Sequence, residues 1–343
     1  MGKLPNSTIE MLKNQMLQTT LPALYLFIFT ISIPLNSISL WFLCRHSRPW
    51  TPTIVFSINL TITDLLYSML LPFQVVYHLR GNDWPFGQVL CRIITVLFYA
   101  NMHCSVLTMT SICIERYLGI VHPLTHRTMR PIRTALLTCI IIWIFVLLLH
   151  FPLMKTELTF QVEELQITTC FDILPKAMFP SRNHFIAYFG SQVLLCFLLP
   201  LLIMAFCYTL VIRTLLNSPP TQLREIKKQT MYLIIVLLIV FVVCYVPNIV
   251  ISIIHFVYTT QNKTAYVEYK LSLALNSLNC CFDPLVYFFG SKEFRQKIQK
   301  KLCKCMPDIF SEMARRRIHM TSGPPAGAPP KATCLPCLGR QKT

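Results

Sequence analysis

The sequence predicts an all-α membrane protein, a seven-transmembrane helix bundle followed by a short amphipathic eighth helix. Three observations predict it. Mean hydropathy is +0.54, with 54% hydrophobic and 13% charged residues, whereas a soluble domain carries about 25% charged residues. Seven intervals are nearly free of charge, near residues 20–44, 53–79, 89–121, 134–154, 185–212, 229–259 and 268–289, and each reaches the roughly 20 residues that a helix needs to cross a bilayer. The basic residues cluster between these intervals on alternate sides, as the positive-inside rule requires of a multi-pass chain.

Residues 1–19 are polar and mixed, without the charged and apolar regions of a cleavable signal, so they read as an extracellular tail and the first apolar run does the targeting. Met1-Gly2 is followed by Asn at position 6, where acylation wants Ser or Thr, and myristoylation is set aside. The third and sixth runs exceed what a ~30 Å core requires, which predicts tilt or extension into water. Arg45 and Arg48, then Arg127, Arg130 and Arg133, then Arg213, Arg224, Lys227 and Lys228, and finally Lys292 to Lys304 fall in segments with almost no acid. These segments are assigned to the cytoplasm, which places the N-terminus outside. The sequons at Asn6 and Asn262 both fall on the expected outer face and are candidate glycosylation sites. No internal repeat is evident, which weighs against an inverted-repeat transporter.

Residues 20–290 form the expected membrane domain and residues 291–305 the amphipathic helix, with Phe294, Ile298 and Leu302 at i, i+4, i+8 and Lys and Arg opposite. Such a helix lies on an anionic leaflet, so membrane lipids are expected partners. Cys303 and Cys305 follow it and read either as palmitoylation sites or as unmodified thiols. Residues 306–343, rich in Pro, Gly and Arg, are expected to be a disordered cytoplasmic tail. The formal charge of +17 is distributed between apolar runs and toward the C-terminus, so nucleic acid is not an expected partner. Most of the 15 cysteines sit inside apolar runs and read as small buried hydrophobes.

Ionisable groups inside lipid cost about 2.5 to 3.5 kcal/mol each on insertion scales and need a reason to be there. Asp64 is alone in the second run and Asp283 lies deep in the seventh, with Asn36, Asn101, Ser105, Asn276 and Asn279 at similar depth. Oxygen ligands of this kind suit a sodium ion or a shared proton, and a hydrogen-bonded network that joins helices reads equally well. No other cofactor is expected. Prolines recur within the runs at 34, 72, 152, 200, 247 and 284, each permitting a bend. The third run ends abruptly at Glu115-Arg116-Tyr117, an acid and a base at a membrane boundary that call for partners.

Taken in order, several marks fall one to a span: Asn36; Leu60-Thr-Ile-Thr-Asp64; Trp84-Pro-Phe-Gly87 before Cys91; Glu115-Arg116-Tyr117; Trp143; Pro200 with Tyr208; Cys244-Tyr245-Val-Pro247; and Asp283-Pro284-Leu-Val-Tyr287. With them the chain resembles the rhodopsin-like (class A) G-protein-coupled receptors across residues 20–305. Within that family it resembles the metabotropic purinoceptor and lysolipid branch, through Asp283-Pro284 in place of Asn-Pro, Phe98-Tyr-Ala-Asn-Met102, and Thr169-Cys-Phe-Asp172. It departs from the family at Tyr245, where Trp is commoner. It departs from the nucleotide receptors of the branch at Ile249-Val-Ile-Ser252, where they carry a His-x-x-Arg or His-x-x-Lys motif.

The resemblance implies a disulfide between Cys91 and Cys170, a hinge at Pro247, and an inner switch in which Glu115 restrains Arg116 until Tyr208 and Tyr287 swing toward it. It implies a plasma-membrane receptor that activates a heterotrimeric G protein, with G12/13 favoured by the lysolipid relatives and Gi or Gq kept open. Arrestin is a further expected partner if tail hydroxyls such as Ser311, Thr321 and Ser322 are phosphorylated. The outer halves of the spans offer Tyr77, Arg80, Arg92, Thr95, Tyr99, Ser252, His255, Tyr269 and Lys270, with Arg182 nearby, around an apolar interior. Such a set suits an anionic amphipathic ligand, a lipid or lipid conjugate, with Arg80, Arg92, Lys270 and Arg182 as head-group candidates or as solvated rim charges. Three rival readings are weaker. A nucleotide ligand loses its cationic motif at Ser252, a transporter wants repeats, and an enzyme wants a nucleophile-base-acid set or ligand cluster that the scattered histidines do not provide.

Overall fold

The computed structural model describes residues 6–46, 49–129, 131–172, 181–217, 224–260 and 265–290. The predicted helix at 291–305, Cys303 and Cys305, the Asn262 sequon and the tail lie outside the described residues. Helix α1 (Asn6–Leu12) is followed by α2 (Gln15–His46), α3 (Pro52–Ser68), α4 (Leu71–Leu79), α5 (Gly87–Val121), α6 (Pro123–Thr128), α7 (Pro131–Leu149) and α8 (Phe151–Lys155). A hairpin of β1 (Thr159–Val162) and β2 (Ile167–Cys170) precedes α9 (Arg182–Val193), α10 (Leu199–Asn217), α11 (Arg224–Val240), α12 (Val246–Thr260), α13 (Tyr266–Asn276) and α14 (Asn279–Gly290). The face carrying the hairpin is called outer here and the opposite face inner.

Six of the seven expected spans are helices long and apolar enough to cross a membrane: Gln15–Arg45, Pro52–Leu79, Gly87–Val121, Pro131–Leu149, Asn183–Asn217 and Thr230–His255. The first begins earlier than hydropathy suggests, since residues 15–19 of the expected tail continue α2 and residues 6–12 form α1. The tail is tied down, because Asn82 Nδ2 donates to the Leu12 carbonyl at 2.9 Å. The seventh span is α13 plus α14, interrupted at Ser277 and Leu278.

The interruptions follow the prolines. A proline has no N–H to give to the carbonyl four residues back, and its ring crowds that carbonyl. For Pro200 and Pro247 those carbonyls belong to Cys196 and Val243, which lie within π-helical turns at Leu194–Leu198 and Phe241–Tyr245. A π turn admits an extra residue and makes room for the ring. For Pro72 and Pro284 they belong to Ser68, where α3 ends, and Cys280, just after the break that precedes α14.

Lateral packing follows helical periodicity. On α7, Ala135, Cys139, Ile142 and Val146 are buried, while Leu137, Ile141, Ile144 and Leu148 stand exposed on the opposite side, as a helix with one face toward protein and one toward lipid requires. Polar ties join the spans: Trp143 Nε1 donates to Asn59 Oδ1 at 2.9 Å and Asn59 Nδ2 donates to Thr108 Oγ1 at 2.9 Å.

The hairpin was not foreseen from sequence. Thr159 pairs with Cys170 and Val162 with Ile167, antiparallel, and Gln166 adopts the positive φ that closes the turn. Trp84 N donates to the Thr168 carbonyl at 2.7 Å and Thr168 N donates to Asp83 Oδ1 at 3.0 Å, fastening the hairpin to the turn before α5.

Candidate functional site

The disulfide between Cys91 and Cys170 is formed, with a Cα separation of 5.7 Å. It pins the end of β2 to the first turns of α5. The next residue, Phe171, takes a φ of +62°, a conformation uncommon for an aromatic residue, and the chain then brings Phe171 and Asp172 to the lining of the cavity below. Phe171 packs edge-on against Tyr99 at 5.6 Å, and its N–H donates to the Leu158 carbonyl at 2.8 Å.

Beneath this roof lies a cavity whose volume, mouth included, is about 950 Å³. It is walled by Tyr99, Met102, His103, Phe171, Phe185, Phe189, Val193, Phe197, Ile249 and Leu273, with Asp172, Gln192, Asn248, Ser252, His255, Tyr266 and Tyr269 as its polar lining. A smaller cavity of about 460 Å³ adjoins it, sharing Tyr99, Phe171 and Leu273 and adding Tyr25, Tyr67, Gln74, Thr95, Phe98 and Lys270. Small-molecule sites have this mixture of apolar walls with a few polar groups. Tyr99 and Tyr269 share a hydrogen bond at 2.9 Å, and His255 stacks on Tyr269 at 5.0 Å.

Of the expected ligand residues, Tyr99, Ser252, His255 and Tyr269 line the larger cavity, and Thr95 and Lys270 the smaller. Tyr77 is buried and spends its hydroxyl on Asp172. The cationic candidates separate. Arg80 is 55% exposed and pairs with Asp83 at 3.3 Å, because it caps the C-terminal end of α4 and points along the surface. Arg92 Nη2 donates to the Thr156 carbonyl at 3.3 Å, and Arg92 is not among the residues that line either cavity. Arg182 opens α9, and its side chain lies outside the described set. Lys270 is ion-paired with Asp172, whose side chain is 1% exposed.

Sequence reasoning missed Asp172 as a site residue. Burial raises its pKa, but the Lys270 ammonium, with hydrogen bonds from Lys270, Tyr266 and Tyr77, outweighs burial and leaves the carboxyl below its ordinary value. A depressed folded-state pKa contributes stability that is fully present above the unfolded value and is lost only as pH falls through the folded one. The pair therefore persists through neutral and mildly acidic conditions.

Below the cavity, polar groups converge. Asn101 Nδ2 donates to Asp64 Oδ1 at 3.0 Å, and Asn279 Nδ2 donates to the Tyr245 hydroxyl at 2.9 Å. Asp64 Oδ2, both Asp283 carboxylate oxygens and Ser105 Oγ are buried without a hydrogen-bond partner among the described residues. Buried oxygens left over in this way fit a hydrated hard cation. Tyr245 is fully buried and stacks on Phe241 at 5.7 Å. Asn36 stands apart from this cluster on α2, where it donates to the Cys280 carbonyl at 2.8 Å.

At the inner face Arg116 Nε lies 3.3 Å from Glu115 Oε2. Two partners were not anticipated. Thr53, the second residue of α3, accepts from Arg116 Nη2 and donates to Glu115 Oε2 at 3.5 Å; His126 Nε2 lies 3.6 Å from Glu115 Oε1. Tyr208 bonds to Cys113, whose Sγ is 2.6 Å from the hydroxyl, and so stands one turn short of Arg116. Tyr117 reaches His122 at 2.9 Å. Tyr287 lies on α14 with its side chain outside the described set.

A helical bundle with a disulfide-pinned loop over a cavity, a polar core and a charged inner boundary is the architecture of a seven-helix receptor. Residues 35–287 match the family of 7 transmembrane receptors (rhodopsin family), and the chain belongs to that family. It is similar to the metabotropic purinoceptor 8 of Gallus gallus, with 41% identity over 96% of this chain and 95% of the relative. It is also similar to the S-geranylgeranyl-glutathione receptor of Homo sapiens, with 40% identity over 88% and 85% respectively. Proteinase-activated receptor 3 of Homo sapiens is 38% identical over 84% of this chain and 75% of its own length. The chain is thus a multi-pass G-protein-coupled receptor of the purinoceptor and proteinase-activated receptor branch, and its relatives are receptors rather than enzymes.

Proposed function

We propose that the protein is a plasma-membrane receptor, N-terminus outside, that binds an extracellular lipid conjugate and activates a heterotrimeric G protein of the G12/13 class. The observation that carries this reading is the chemistry of the larger cavity. Its walls are aromatic and aliphatic, and its lining includes neither Lys nor Arg among the described residues, so it suits a tail better than a polyphosphate. The human relative named for S-geranylgeranyl-glutathione supports it. Ligand binding favours the active bundle in a pre-existing equilibrium; Pro247 serves as hinge, and Tyr208 leaves Cys113 for Arg116.

The test is G-protein dissociation in cells expressing the chain, read for each Gα class, with S-geranylgeranyl-glutathione and with nucleoside diphosphates as probes. Response to the conjugate through G12/13 is expected. Response to nucleotides alone, or through Gi or Gq alone, overturns the corresponding half of the proposal.

Sodium, if bound, would sit among Asp64, Asn101, Ser105, Asn279 and Asp283 and supply a charge that holds the closed bundle together. Replacing sodium by choline is expected to increase ligand potency in the wild type and to have little effect on Asp64→Asn. Equal sodium sensitivity in both would remove Asp64 from the site.

A further inference from the structure

Resting on the lipid-conjugate reading, we propose that the ion pair of Asp172 and Lys270 recognises a free α-amino-acid head group on the ligand, whose ammonium takes Asp172 while its carboxylate takes Lys270. The pair stands where the two cavities meet. Asp172 lines the larger and Lys270 the smaller, and their side chains are only 1% and 13% exposed. Two tyrosines fix the carboxylate: Tyr77 donates to Asp172 Oδ2, and Tyr266 hydrogen-bonds to the same group. The ammonium of Lys270 lies 5.4 Å from the centre of the Tyr266 ring. The acid is thus held rigidly, while the base, on a long flexible stem, is the partner free to move.

Charge balance selects the ligand. Arg80 pairs with Asp83 at the surface, and Arg92 Nη2 reaches the Thr156 carbonyl while its Nε is buried without a hydrogen-bond partner. Neither lines the two cavities, so among the described residues their junction offers one acid and one base. A purely anionic head would bring negative charge against a desolvated carboxylate and gain only one cation. A nucleotide polyphosphate meets that repulsion several times over. A zwitterion whose two charges share one carbon inserts between the pair, exchanges one ion pair for two, and leaves no charge buried without a partner, the condition that makes buried ions tolerable. The γ-glutamyl end of a glutathione conjugate carries such a group; its separate glycyl carboxylate stays in water at the outer mouth, and its lipid chain extends into the aromatic cavity toward Phe197.

The experiment measures G-protein dissociation by the wild type, Asp172→Asn and Lys270→Gln with three probes: S-geranylgeranyl-glutathione, its N-acetyl derivative, and its γ-glutamyl α-carboxamide. Surface expression is measured in parallel. In the wild type each modification is expected to lower potency on the order of 10- to 100-fold, the scale of a charged hydrogen bond. The N-acetyl penalty is expected to vanish in Asp172→Asn and the carboxamide penalty in Lys270→Gln. The probe series on the wild type decides even where a variant fails to reach the surface. Equal potency of all three probes on the wild type, or the same penalties in every receptor, overturns the amino-acid assignment and leaves the lipid-conjugate reading standing. Failure of every conjugate on a surface-expressed wild type overturns both.

Discussion

Arg116→Ala is expected to abolish ligand-stimulated G-protein dissociation while leaving ligand binding essentially unchanged, and Glu115→Gln to raise agonist-free signalling. The guanidinium stands at the inner end of α5, far from the cavity lined by Tyr99 and Asp172. It is restrained there by a compact set of contacts, with Glu115 Oε2 at 3.3 Å and the Thr53 hydroxyl bridging both partners. Adjacent residues on a helix point about 100° apart, so this pairing exists only because the long arginine stem folds back. At 27% and 13% exposure the pair is partly screened, and losing the carboxylate charge is worth about 1 kcal/mol, or roughly a five-fold gain in the active population. Thr53→Ala should act in the same direction with smaller effect. Constitutive dissociation assays and ligand binding to membranes check the set. An Arg116→Ala receptor that reaches the surface and signals normally would show that the restraint is not the switch.

Cys91→Ser or Cys170→Ser is expected to remove most surface expression and all high-potency response. The bridge spans a sequence separation of 79 residues, for which chain entropy gives about 4.5 kcal/mol; the membrane already constrains the intervening spans, which makes that figure an upper bound. The larger consequence is local. Without the bridge, nothing covalent keeps Phe171 and Asp172 over the cavity, and Lys270 is left as a buried cation whose acid can leave, a loss of about 3–5 kcal/mol when one partner of such a pair is removed. Flow cytometry of intact cells separates lost expression from lost response. A Cys170→Ser receptor with normal surface level and normal potency would show that the loop holds its place without the bridge.

The seven spans were legible because each is a long, nearly charge-free run, and the Glu115–Arg116 pair because an acid and a base at a membrane boundary call for partners. The hairpin was not legible: four residues such as Thr159–Val162 give too short a period for alternation to register, and its anchors, Trp84 and Asp83, are distant in sequence. The different surroundings of the three head-group cations were not legible for a related reason. Sequence places Arg80, Arg92 and Lys270 on the outer side, but direction depends on helix phase and on acids supplied elsewhere, and Asp172 comes from a loop residue turned inward by the positive φ of Phe171. Thr53 and His126 escaped notice because a hydroxyl and an imidazole near a loop carry no signal until the fold brings them to Glu115.

The break at Ser277 and Leu278 divides the seventh span into two levers. The upper one, α13, carries Tyr269 and Lys270; the lower one, α14, carries Asp283 and Pro284. A continuous helix would transmit any twist of its outer end as a rigid rod, whereas here the two levers meet at a joint whose pin is the 2.8 Å hydrogen bond between Ser277 Oγ and the Tyr67 hydroxyl. Tilting α13 about that pin need not carry Asp283 with it until the joint locks. The wall of the cavity and the polar core are therefore joined through a bonded joint and not along one continuous helix.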